Sequence, residues 1–145
     1  MKQLFIMSLL GALMLTFSMC RSSKVNEDLS AAVKLAESEE YIDVDFHRLS
    51  DELSAADTKA SASLKADRDK AYAALYRFYS HVQLIDSNYV CSLKAPEEIN
   101  VSASVYETLK GDLDDMNRQI DELRHSGEKV SLPVIDEDYL KKLLR

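Results

Sequence analysis

The sequence predicts an all-α fold: an up-down-up antiparallel three-helix bundle, coiled-coil-like, with a short C-terminal helix. Three observations predict it. Apolar residues recur three and four positions apart in long stretches after residue 24, the spacing that lays one narrow stripe along a helix. Only 3 Gly and 2 Pro interrupt 145 residues, too few for the tight hairpins of all-β folds or the phosphate-cradling loops of nucleotide enzymes. Ala, Leu, Ser, Lys, Asp and Glu dominate instead, as in long helices. The length is that of one domain, on a rough scale of 100–200 residues per domain.

The first helical segment is expected over about 25–60. Ile42, Phe46, Leu49, Leu53 and Ala56 form its stripe, and Val25, Leu29, Ala32, Val33 and Ala36 continue a looser one upstream. The segment is either one long helix or two joined near Glu39–Tyr41. Asn26-Glu27-Asp28 places acids in its first turn, where the helix dipole favours them. A Ser-rich stretch, Thr58–Ser63, is the candidate turn to the next helix, with Ser61 or Ser63 as N-cap.

The second helix is expected over 63–89, on the stripe Leu64, Ala71, Leu75, Phe78, Val82, Ile85 and Tyr89. A connector follows from Asp86 to about residue 103, marked by Pro96, which disfavours helix at Ala95. The third helix, 104–125, opens on the capping-box pattern Ser104-x-x-Glu107. Its stripe is Val105, Leu109, Leu113, Met116, Ile120 and Leu123, and Gly127 stands where a left-handed residue commonly ends a helix. Lys129–Ile135, broken by Pro133, reads as an extended strap. Asp136 then caps a last helix, 137–144, with Ile135 and Leu140 placed to staple its entry. At ~1.5 Å per residue, segments 42–60, 64–89 and 104–125 span roughly 28, 39 and 33 Å, comparable lengths that suit antiparallel neighbours.

Charge narrows the function. With 18 Lys+Arg against 25 Asp+Glu, the net charge is −7, and no basic tract exists to hold a phosphate backbone, so no nucleic-acid partner is expected. The acidic runs Glu37–Asp45, Asp112–Asp115 and Asp136–Asp138 lack the central Gly and closing Glu of a calcium loop. They read as solvated faces or as a surface for a basic partner. Asp43 and His47, four apart, complete no metal site with His81 or His125. No nucleophile elbow, phosphate loop or cofactor fingerprint is present. The expectation is therefore a non-catalytic protein without cofactor or metal.

The residues singled out for partner contact are Tyr72, Tyr76 and Tyr79, a second stripe beside the core stripe of the middle helix. Tyrosine covers a core edge with its hydroxyl in water, and it is also enriched at protein interfaces. Either a protein partner or self-association through such stripes fits the pattern.

The N-terminus differs in kind. Lys2 precedes an apolar run from Leu4 to Phe17 that stops at Ser18-Met19-Cys20. The run suits a signal peptide's apolar region and falls short of the ~20 residues that cross a bilayer as a helix. Residues 1–20 resemble the lipobox-bearing signal peptide of bacterial lipoproteins. Ser18 fits that pattern, whereas Phe17 stands where Leu is usual and Met19 where Gly, Ala or Ser is usual. The resemblance implies a signal peptide at 1–19, lipidation of Cys20 and a membrane contact through the N-terminal lipid, with a tether at 20–24; the helical domain read from the periodicity then occupies 25–145. Arg21-Ser22-Ser23-Lys24 follows Cys20 in place of a retaining Asp or an acidic run, which favours the outer membrane, facing the periplasm. Ordinary cleavage nearby, giving a secreted or periplasmic soluble protein, and an uncleaved anchor are the other readings. With Cys20 lipidated, Cys91 is the remaining thiol, expected as a small buried apolar residue.

Overall fold

A computed structural model describes residues 25–55 and 62–143; the expected signal peptide, Cys20 and the expected tether, residues 56–61 with most of the Ser-rich stretch, and residues 144–145 lie outside the described residues. Five α-helices are joined there by one 3-10 turn and a two-stranded antiparallel sheet. The helices are α1 (Val25–Glu37), α2 (Phe46–Ala55), α3 (Ala62–Tyr79), α4 (Ala103–His125) and α5 (Glu137–Leu143). The strands are β1 (Val82–Ile85) and β2 (Asn88–Cys91), and the 3-10 turn is Pro96–Ile99. The expected pure three-helix bundle is therefore wrong: the protein is mostly helical but mixed.

Two departures account for the difference. The first expected segment, 25–60, is not one helix: it breaks after Glu37, beside the alternative junction at Glu39–Tyr41, and residues 38–45 run extended between α1 and α2. Ile42 there makes a parallel β-bridge with Val101. Its N–H donates to Asn100 O at 2.8 Å and its carbonyl accepts Ser102 N–H at 2.8 Å. Burial alternates along the segment, with Ile42, Val44 and Phe46 inside and Tyr41, Asp43 and Asp45 outside. That two-residue period is a strand's, not a helix's.

The second departure lies at 80–91. The expected helix 63–89 stops at Tyr79, and the chain folds back as a hairpin. Asp86 and Ser87 form its two-residue loop with φ of 49° and 68°, the type I′ geometry that matches the twist of paired strands. Neither residue is Gly, so the usual sequence signal is missing. Val82, Ile85 and Tyr89, taken as one helical stripe, divide between two faces: Val82 and Tyr89 point inward, while Ile85 is 47% exposed.

α3 packs against α1, α2, α4 and α5. Its stripe residues Ala71, Leu75 and Phe78 are buried as the spacing predicts, and so are Val105, Leu109, Leu113, Met116 and Ile120 of α4. Phe78 sits edge-on to Tyr79 and Tyr106, with ring centroids 5.3 and 6.2 Å away. α4 begins one turn-fraction earlier than expected. Ser102, not Ser104, is its N-cap and accepts the Val105 N–H at 3.2 Å. At the other end Gly127 takes φ 79°, its N–H donates to Arg124 O, and Glu128 N–H donates to Leu123 O, a Schellman stop. Asp136 Oδ1 accepts the Tyr139 N–H at 2.8 Å and caps α5.

Candidate functional site: a buried arginine and an outward hairpin face

The most unusual side chain is Arg77, which is 7% exposed yet forms no ion pair at hydrogen-bonding distance among the described residues. Burying a charge is costly unless its donors are satisfied. Arg77 meets that need almost wholly with backbone, the Ser38 hydroxyl adding one longer contact at 3.4 Å. Nε donates to Ala36 O at 3.1 Å, Nη1 to Glu40 O at 2.9 Å and Ile99 O at 3.0 Å, and Nη2 to Leu35 O at 2.7 Å and to Ser38 O. All five guanidinium N–H groups thus find a close carbonyl. Leu35 and Ala36 belong to the last turn of α1, where unpaired carbonyls carry the negative end of the helix dipole. Burial pushes the Arg77 pKa below its ordinary value, and the Glu40 charge opposes that shift.

The tyrosines are distributed differently from the expected stripe. Tyr79 is buried at 5% exposure, and Tyr72 and Tyr76 are half-buried against the core. The three therefore do not present one open face. Tyr79 instead lies in a group with Tyr89, Tyr139 and Cys91, close enough to influence its ionisation. Burial pushes the Tyr79 and Tyr89 hydroxyls well above the ordinary phenol range and raises that of Tyr139. Tyr89 Oη donates to Pro133 O at 2.7 Å and Tyr106 Oη to Leu93 O at 3.2 Å. Cys91 is half-buried, and burial raises its thiol pKa, which makes it a poor nucleophile.

Apolar surface is concentrated elsewhere. The hairpin register pairs Gln83 with Val90 and Ile85 with Asn88, so these four side chains share the face turned away from Val82 and Tyr89. Ile85 is 47% and Val90 45% exposed; among the described residues Tyr41 and Val134 are the other large apolar residues this open. Arg124 braces the tip of the hairpin, donating to Asn88 Oδ1 at 2.9 Å and to Ser87 O. The hairpin is thereby a fixed platform rather than a loose loop.

His47 and Asp43 are exposed, as are His81 and His125. Among the described residues no three His, Cys, Asp or Glu side chains come together to hold a metal ion. No helix among them is long and apolar enough to cross a membrane. Cys20 lies outside the described residues. Sequence reasoning passed over Arg77 and the hairpin face. The signal for Arg77 was a lone cation in the otherwise uncharged run Ala71–Tyr79, between Tyr76 and Phe78. The signal for the hairpin was the alternation Val82, Leu84 against Gln83, Ile85. Comparison of the chain with family models, with curated proteins and with solved structures finds no match in any of the three.

Proposed function

We propose that the chain is a lipid-tethered envelope protein whose folded part is a non-catalytic protein-interaction module. Cys20 carries the lipid and holds the module on the outer membrane, facing the periplasm, and no cofactor takes part. The observation that carries the interaction reading is the pairing of exposed Ile85 and Val90 on one face of a braced hairpin. Two β-branched side chains held rigidly in water lose little freedom on contact with a partner. The buried polar groups of Arg77, Tyr89 and Tyr106 are engaged with the chain's own backbone, which leaves them to hold the fold rather than to do chemistry.

The tether and the contact are tested separately. Metabolic palmitate labelling of the full chain, with Cys20→Ser as control, should label only the parent. An unlabelled parent would remove the tether. In-cell crosslinking of both forms should capture the same protein, or a second copy, because the hairpin rather than the lipid makes the contact.

A second reading is an exported inhibitor that offers its acidic surface to a basic target. It is favoured by the segment Glu39–Asp45, where Glu39, Glu40, Tyr41, Asp43 and Asp45 are all exposed. Salt separates the two. Capture by an acidic face falls steeply as ionic strength rises, whereas capture by Ile85 and Val90 does not.

A further inference from the structure

We infer that residues 25–41 form a strap that seats on and leaves the body as one piece, with Arg77 as its lock. Over residues 31–41 the grip of this strap is polar. From residue 31 to Tyr41 its fully buried side chains are Ala32 and Ala36; Val33 and Leu35 are half-buried, and the rest are exposed. Small side chains let the backbone of α1 come close to α3 but remove little apolar surface from water. The close approach brings the carbonyls of Leu35, Ala36, Ser38 and Glu40 to the Arg77 guanidinium. Four of its five nearest acceptors therefore belong to the strap, and the fifth, Ile99 O, to the body.

This arrangement is all-or-none. A half-released strap leaves a buried cation short of acceptors, the costly state. Full release opens Arg77 to water, which solvates it. The next residue marks the hinge. Ile42 is 0% exposed and pinned through both backbone groups to Asn100 and Ser102. Beyond it the body is held by large buried side chains, among them Phe78, Leu109, Leu113 and Ile120. The strap thus opens without the body unfolding, a local unit of lower stability. On the tether reading above, release has a consequence for reach. The 13 residues of α1 span about 20 Å as helix and more than about 40 Å when extended.

Native-state hydrogen exchange on the full chain tests the inference without reference to Cys20. Amides of residues 32–38 should exchange together, roughly tenfold or more faster than those of 109–120 in α4. Arg77→Met should speed the first set further and leave the second unchanged, with the Ile42 and Ser102 amides still protected. One common rate for strap and body in the parent would overturn the inference, whatever the variant does. So would an Arg77→Met chain that loses protection in α4 equally.

Discussion

Asn117 takes the place of a β-strand beside Tyr89. Its Oδ1 accepts the Tyr89 N–H at 2.8 Å and its Nδ2 donates to the Tyr89 carbonyl at 2.7 Å. In the β1–β2 register Tyr89 faces Leu84 as a non-hydrogen-bonded pair, so its own backbone groups point away from β1. A carboxamide carries the same donor and acceptor as a peptide unit. One side chain from α4 therefore closes the edge of β2 and docks the hairpin on the helical body.

Replacing Asn117 should loosen that junction. Asn117→Leu leaves a donor and an acceptor of Tyr89 unpaired and is expected to cost about 1–3 kcal/mol. Asn117→Asp keeps the acceptor and loses the donor, so it should fall between parent and Leu variant. Urea denaturation gives the ranking, and exchange at the Tyr89 amide shows whether the loss is local.

Alkaline pH should unfold the protein through its tyrosines. Tyr79, Tyr89 and Tyr139 all have pKa values raised by burial, the dominant cause for each. A raised folded pKa means stability fully present below the unfolded value near 10 and lost as pH climbs toward the folded one. Absorbance at 295 nm and circular dichroism, followed together above pH 9, should show these phenols ionising with loss of helix. Tyr79→Phe should move that transition to higher pH.

Asp112 should act in the opposite pH range. Its pKa is raised by burial first and by Asp115 second, with His47 pulling the other way, and its Oδ2 is buried without a hydrogen-bond partner. The favourable contribution of such a carboxyl is present below the unfolded value near 3.9 and is lost as pH rises through the folded one. At pH 7 the charged form is a liability. Asp112→Asn should therefore stabilise the fold at pH 7, by about 0.5–1 kcal/mol, and should gain less at pH 4. Denaturation curves at the two pH values give the comparison.

How far the sequence reaches depends on whether a feature is local. The stripe of α4, the left-handed Gly127 and the Asp136 cap were legible because each is decided within a few residues. The stripe of α3 was legible up to Phe78 for the same reason. It misled beyond Tyr79 because Val82, Ile85 and Tyr89 keep helical spacing by coincidence, and because Asp86-Ser87 makes its turn without glycine. A junction near Glu39–Tyr41 was legible as one of two alternatives, but the extended course of residues 38–45 was hidden for a different reason. Ser38 and Glu40 are fixed by Arg77, 39 and 37 residues away, and Ile42 by Asn100 and Ser102, further still. No local pattern encodes a backbone held by a distant guanidinium. The tyrosine stripe was visible, but its burial depends on α5, which comes from far along the chain to pack against α3.

The interaction reading stands or falls on the outward face of the hairpin. The most direct measurement is in-cell crosslinking of the full chain carrying Ile85→Thr and Val90→Thr together. Both residues are about half exposed and threonine keeps the preference for strand, so the melting curve should stay within about 0.5 kcal/mol of the parent's. The expected result is a folded protein that no longer captures the partner, or the second copy, seen with the parent. Undiminished capture by a folded double variant would contradict it.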